Sequence, residues 1–245
     1  MCSARVVTGD YESPIPLKRK NAADPIKKIE DIHRINNYFL ATGNYRDNLL
    51  FTMGINFGLR CGDLLHIKVG DVVDENGTYK PEVCLIEEKT SKLRTVYLND
   101  AVMDACDLYL NDGRCVGRDD YFFKSQSNHG KGENTPISVY SVERILKSVI
   151  NSELGIPIHA GTHCMRKTFA YHVIQSAPDR TRAIEFLQKI LGHSNQMTTL
   201  MYAGITVEEI QETYQHLNLG KQSPALPDVC LSSGLAGLTE LHSRS

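Results

Sequence analysis

Apolar residues return at helical spacing through most of this chain, and one stretch, from about 69 to 98, breaks the rhythm. Ile26, Ile29, Ile32, Ile35 and Phe39 trace one face of a helix that starts at Pro25 and is ended by Gly43-Asn44. A second helix runs from about Tyr45 through Leu49, Leu50, Met53 and Phe57 and stops at Gly58, and a short one follows with Leu64, Leu65 and Ile67 on one side. In the exceptional stretch Val83, Leu85, Thr95, Val96 and Tyr97 are strand formers, and Glu87-Glu88-Lys89-Thr90-Ser91-Lys92 reads as the polar turn between them. The prediction is a small antiparallel sheet with a hairpin near Lys89–Lys92.

Helical spacing then resumes. It predicts helices near 100–110 and 139–151, with a short Tyr121-Phe122-Phe123 segment and a glycine-rich loop, Asn128-His129-Gly130-Lys131-Gly132, between them. Thr162 reads as the N-cap of a helix through about Ser176. Further helices span about Thr181–Leu191, stopped by Gly192, then Met197–Tyr202 and Val207–Leu217, the last with Ile210, Tyr214 and Leu217 on one face. The expected fold is mainly α with a small antiparallel β-sheet (α+β). One domain covers 25–219, between a basic, flexible arm at 1–24 and a disordered tail at 220–245.

Composition narrows the classes. The 245 residues are 41% hydrophobic and 23% charged, which excludes a wholly disordered, collagenous or coiled-coil chain. No run of about 18 uncharged apolar residues exists for a membrane span. The first residues lack the apolar core of a signal peptide, so a cytoplasmic protein is expected. Seven cysteines, an odd number with no CxxC pair, argue for reduced thiols rather than a disulfide framework or a cysteine-rich zinc site. The net charge of −2 lacks the basic excess common in nucleic-acid binders, yet local clusters are basic: Lys18, Arg19, Lys20, Lys27 and Lys28, and later Arg144, Lys147, Arg166, Lys167, Arg180, Arg182 and Lys189. Any such cluster alone is ordinarily a solvated surface.

Several polar residues stand at helix ends or on shared faces. Arg60 follows the Gly58-Leu59 stop, His163 and Arg166 lie three apart on one helix face, His193 follows Leu191-Gly192, and Tyr202 comes nine residues later. Taken singly, each is an ordinary surface, core or packing residue. A metal reading from His159, His163, His172 and His193 fails on chemistry: there is no HExxH, and Arg166 would repel a cation.

The set in order is more specific. Gly58-Leu59-Arg60 with Asp63 three residues on, a lysine in the hairpin turn, His163-Cys164-Met165-Arg166, Leu191-Gly192-His193 and Tyr202 together resemble the tyrosine recombinase, or phage integrase, family over residues 25 to 219. The resemblance implies a site-specific DNA recombinase. Tyr202 would attack a DNA phosphodiester to give a 3′-phosphotyrosyl link and a free 5′-hydroxyl, conserving the bond energy so that neither metal, ATP nor other cofactor is needed. It assigns Arg60 and Arg166 to the transition-state charge, which a planar, permanently charged guanidinium meets with two parallel hydrogen bonds. It makes His163 the general base and Lys89 the general acid, with Lys92 left open because hairpin turns align loosely. His193 would bond the phosphate or orient the tyrosine, and Asp63 would hold local structure.

The chain departs from the family in two ways. The stretch ahead of Arg60 leaves no room for the N-terminal clamp domain of most members, which points to the short, catalytic-domain-only type. Lys167 stands where many members have histidine. The partners implied are double-stranded DNA, other copies of the chain in a tetramer on two DNA sites, and an accessory DNA-bending protein. The rival readings are a non-catalytic DNA-binding regulator with the same fold and a type IB topoisomerase that relaxes DNA by the same chemistry.

Overall fold

The computed structural model describes residues 22–113, 117–125, 134–204 and 215–216. The chain divides into two units, Met1–Thr206 and Val207–Ser245. Most of the basic arm, the glycine-rich loop, the tail and, save 215–216, the Val207–Leu217 helix lie outside the described residues, as do Cys2, Cys115 and Cys230.

The described part of the first unit opens with a lead without regular secondary structure, 22–28, followed by helices α1 (Ile29–Ala41) and α2 (Tyr45–Phe57). Helix α2 is buried on nearly every side, its polar residues Arg46, Asp47, Asn48 and Thr52 included. Leu49, Leu50, Phe51, Met53 and Phe57 are all buried, because α1, α5 and α7 pack around it on several sides. Burying each such side chain is worth about 1.5–3 kcal/mol, so α2 is the axis of the core. Gly54 permits a close approach: a Cβ there would overlap Met165 on α7.

Helix α2 ends in a left-handed turn at Gly58 (φ 60°), where a Cβ would also overlap the Phe169 ring. Arg60 leaves this turn in extended conformation and precedes the short helix α3 (Cys61–Leu65). A four-residue helix, α4 (Val69–Val72), follows; it is too short to leave a periodic signal in the sequence.

The sheet is a single hairpin, β1 (Glu82–Ile86) and β2 (Leu93–Tyr97), paired antiparallel with Val83 opposite Val96. An isolated hairpin is marginal in water, and this one is pinned by those two buried valines, with α4 packed against β1. Its turn lies at residues 87–92, as expected from the polar run.

Helix α5 (Asp100–Asn111) is capped by the Asn99 side chain, and buries Val102, Ala105, Cys106 and Tyr109. The aromatic pair Phe122-Phe123 is buried without forming a strand. Helix α6 (Val139–Lys147) continues into a π-helical stretch, Ser148–Glu153. Helix α7 (Thr162–Ser176) starts one residue earlier than expected: Gly161, in extended conformation, is the cap, and Thr162 is already helical. Helix α8 (Arg180–Leu191) is capped by Asp179 and ends in left-handed Gly192, and α9 (Gln196–Tyr202) is capped by Asn195. Ala170, Ile174, Leu187, Leu191 and Ala203 form a second apolar cluster that joins α7, α8 and the end of α9.

The lead crosses α7. The Ile26 amide donates to Thr168 Oγ1 (2.8 Å), the Ile26 carbonyl lies 2.9 Å from His172 Nε2, and Asp24 and His159 exchange two hydrogen bonds of 2.9 Å. Among the described residues Cys61, Cys84, Cys106 and Cys164 are free thiols, and no helix is long and apolar enough to cross a membrane.

Candidate active site

Two helix ends face each other across Arg166. Its side chain is buried on α7, one turn after His163, and donates Nη1 to the Gly58 carbonyl (2.8 Å) and Nη2 to the Leu191 carbonyl (3.0 Å). These oxygens belong to the C-terminal ends of α2 and α8, where a cation meets the negative pole of each helix. A guanidinium has five N–H donors, so this use leaves donors for a ligand.

Arg60 reaches the same region from the α2–α3 turn. Its Nη1 donates to Glu87 Oε2 at 2.8 Å and lies 3.8 Å from Asp63 Oδ2. Asp63 is buried and accepts the Glu88 amide through Oδ1 (2.9 Å), so it ties α3 to the hairpin turn, the local structural part expected of it. Lys89 stands exposed on that turn and lines an open cavity of about 380 Å³ with Arg60, Gly62, Asp63 and Glu88. Lys92 is exposed as well, and its carbonyl accepts the Glu87 amide at the base of the turn (3.0 Å).

Tyr202 is the last residue of α9, placed there because the next residue, Ala203, is buried among α7 and α8 side chains. Its hydroxyl lies 3.2 Å from His163 Nδ1. The His193 ring packs edge-on against it, centroids 5.1 Å apart, and the Lys167 ammonium lies 5.4 Å from the ring centroid. His193 is itself held by Thr199 Oγ1, 3.1 Å from its Nδ1. The turn at Gly192 (φ 68°) brings this imidazole back toward the α7 face.

The electrostatics follow from this crowding. Burial pushes the Tyr202 phenol above its ordinary pKa, with the Arg166 and Arg60 charges opposing. Burial also lowers His163, aided by Arg166, Lys167 and Arg60 and opposed by Glu143. His193 is lowered by burial and then by the two arginines. Glu87 resists its own desolvation: its bonds from Thr90 and Arg60 hold the carboxyl below the ordinary value.

All six residues singled out from the sequence therefore lie around one region, with Lys89 at its open side. Two more charged residues belong to it. Arg94 on β2 donates Nη1 to the Ile190 carbonyl (2.5 Å), and its charge, Arg60's and Arg166's act on one another. Glu87 is the carboxylate on Arg60. Strand alternation carries the signal for both, because Arg94 shares a face with buried Val96, and Glu87 continues the inward series Val83, Leu85. Among the described residues no group of three or more His, Cys, Asp or Glu side chains converges to hold a metal ion.

Residues 26–209 match the model of the phage integrase family, and the chain belongs to this family, the tyrosine recombinases. It is 34% identical over 191 residues to the probable integrase/recombinase YoeC of Bacillus subtilis, covering 78% of this chain and 94% of that protein. It is 24% identical to the tyrosine recombinase XerA of Pyrococcus horikoshii over 84% of this chain and 64% of that one, and 23% identical to XerC of Bacillus subtilis over 77% and 58%. The chain thus spans less than two thirds of the Xer relatives and nearly all of YoeC. Among solved structures, XerA recombinase superposes with a TM-score of 0.58 at 23% identity over 79% of this chain and 65% of that one. XerH site-specific recombinase, bound to its difH substrate after cleavage, gives 0.58 at 20% identity over 80% and 54%. These superpositions show the tyrosine recombinase catalytic-domain fold, mostly helical with one small antiparallel sheet.

Proposed function

We propose that this chain is a site-specific DNA recombinase that cleaves and rejoins strands through a 3′-phosphotyrosyl intermediate on Tyr202, without metal, ATP or another cofactor. The observation that carries the reading is the contact of the Tyr202 hydroxyl with His163 Nδ1 beside the buried guanidinium of Arg166. A phenol is protonated at neutral pH at its ordinary value and burial raises it further, while the surroundings of His163 favour its neutral form. That is the pairing a general-base step needs.

In the forward step the Tyr202 oxygen bonds to phosphorus, its proton passes to His163, and the bond from phosphorus to the 5′-oxygen breaks. Lys89 supplies the proton that makes the leaving group a 5′-hydroxyl. Charge builds on the two non-bridging oxygens, and Arg60 and Arg166 meet it; preorganised donors of this kind are worth about 3–4 kcal/mol each. His193 bonds the phosphate or holds the tyrosine ring. In the return step a 5′-hydroxyl from another strand attacks the phosphotyrosine and releases the phenol, so one phosphodiester replaces another. Double-stranded DNA is then the substrate, and strand exchange between two sites calls for a tetramer of chains, with an accessory DNA-bending protein as a further partner. XerH site-specific recombinase, a structural neighbour, is known bound to its palindromic difH substrate in a post-cleavage complex.

The test is to denature cells expressing the wild type, recover DNA covalently attached to the protein, and sequence the attached ends. Recurrent ends joined through their 3′-phosphate to Tyr202 are expected from the wild type and none from Tyr202→Phe. Adducts surviving in Tyr202→Phe would place the nucleophile elsewhere. DNA binding with no wild-type adduct would make the chain a non-catalytic DNA-binding protein.

A further inference from the structure

We propose that Glu87 is the resident anion of the Arg60 site: an arriving DNA phosphate takes the guanidinium from this carboxylate, and the exchange frees the 87–92 turn to bring Lys89 onto the phosphate. The inference rests on the reading that Arg60 receives a phosphate.

Three observations converge. The first is the bonding at Glu87. Its side chain is 9% exposed, and a single oxygen, Oε2, accepts both Arg60 Nη1 (2.8 Å) and Thr90 Oγ1 (2.7 Å). The carboxylate thus sits where an incoming phosphate oxygen would take the Arg60 donor.

The second is the architecture of the turn. The Glu87 amide donates to the Lys92 carbonyl (3.0 Å), and the Ser91 amide donates to the Glu87 carbonyl (2.8 Å). Ser91 is in a left-handed conformation (φ 51°) that a non-glycine residue holds only when its neighbours enforce it. Glu87 is therefore both the base of the turn and its anchor on Arg60, and Lys89 stands two residues away on the exposed side. A second tie, Glu88 amide to Asp63, keeps the turn near α3 whichever anion Arg60 holds.

The third is charge. Arg60 and Arg166 both disfavour the charged form of Arg94, and Arg60 disfavours that of Arg166. Without DNA such a cluster needs counter-ions: Glu87 supplies the one hydrogen-bonded to Arg60, and Asp63 Oδ2 lies 3.8 Å from the same nitrogen. A phosphodiester brought to the same donor would put two anions side by side at a half-buried site, where their repulsion is far stronger than in water. Glu87 engages only Nη1 of Arg60, so this repulsion, rather than competition for a last donor, is what drives the carboxylate away. A carboxylate that merely braces Arg60 would remain in place, so the two roles predict opposite signs when its charge is removed.

The experiment uses the full chain and inorganic phosphate as the probe. Phosphate is titrated while the side-chain Nε–H resonances of the arginines are followed by NMR, and the acetylation rate of Lys89 is read by mass spectrometry at each concentration. In the wild type, Lys89 protection is expected to saturate together with the Arg60 shift. Glu87→Gln keeps the shape and removes the charge, and affinity for phosphate is expected to rise by about tenfold, the scale of one charge-assisted contact. Thr90→Val removes only the hydroxyl bond to Oε2 and is expected to give a smaller rise in the same direction, which serves if Glu87→Gln unfolds. Unchanged or weaker binding in a folded variant overturns the proposal and leaves Glu87 a brace. So does Lys89 acetylation that ignores phosphate while Arg60 binds it. If Arg60→Ala binds phosphate as well as the wild type, it is the underlying assignment of Arg60 that fails.

Discussion

The hydroxyl of Tyr202 and Nδ1 of His163 are 3.2 Å apart although 39 residues separate them in the chain. The contact lies beside the α7–α8–α9 cluster, in which Leu200, Tyr202 and Ala203 at the end of α9 pack with Phe169, Ala170, Val173 and Ile174 of α7. His163→Gln keeps a hydrogen-bonding group but has no basic nitrogen. Single-turnover adduct formation on the DNA site recovered from cells is expected to fall by about 10²–10⁴-fold, the usual worth of a general base, with DNA affinity little changed. An unchanged rate would remove His163 from proton transfer.

The pH dependence of that rate should carry the same signature. The surroundings lower His163, so its basic form persists below the ordinary histidine value of 6.5. Adduct formation is expected to rise with pH to a plateau, with its midpoint on the acid side of 6.5. A midpoint above 6.5 would contradict the environment described here. Stability follows the same sign. The unfolded chain binds protons on His163 and His193 more readily than the folded one, so stability is lost as pH falls from about 6.5 toward the lowered folded values. Urea titrations across that window measure it.

Arg166→Lys keeps the charge and loses the fork. Both helix-end carbonyls, Gly58 and Leu191, then lack their present donors. A loss of about 2–4 kcal/mol in unfolding free energy is expected, since bonds to charged groups are worth roughly 1.5–3 kcal/mol each. Adduct formation should fail in the same variant at temperatures where it remains folded.

Gly58→Ala tests how the α2 end aims Arg60. The residue is left-handed, and the added methyl would overlap the Phe169 ring. Destabilisation of at least about 1–2 kcal/mol is expected from the backbone alone, with more from the overlap. A neutral substitution in a urea titration would contradict the turn geometry.

Lys89 and Lys92 are separated by leaving-group chemistry. A DNA strand with sulfur in place of the bridging 5′-oxygen expels a thiolate, which needs no proton. Cleavage by Lys89→Ala is expected to fail on ordinary DNA and recover on the sulfur strand, whereas Lys92→Ala should cleave both. The reverse pattern would move the general acid to Lys92.

Much of this was legible in the sequence because the signals are local. Periodicity marks α1, the left-handed glycines at 58 and 192 punctuate the helices that aim Arg60 and His193, and the polar run marks the hairpin turn. Thr162 misled because a threonine before an apolar helix resembles a cap, yet Gly161 already supplies the extended residue and Thr162 falls inside the first turn. Helix α4 is one turn long and has no period to detect. Arg94 and Glu87 were missed for another reason. Each gains meaning from partners far along the chain, Ile190 and Arg60, and a charged residue on an inward strand position announces only that some partner exists.

The lead at 22–28 has a practical bearing on anyone cutting this protein down. A fragment begun at the first helical residue, Ile29, would look complete on a secondary-structure diagram. It would leave Thr168 and His172 without Ile26, His159 without Asp24, and a gap where the buried Ile26 side chain had been. Those vacancies lie along, and just ahead of, the helix that carries His163 and Arg166. Such a fragment could be inert simply because it was trimmed, and its silence in an assay would say nothing about the parent.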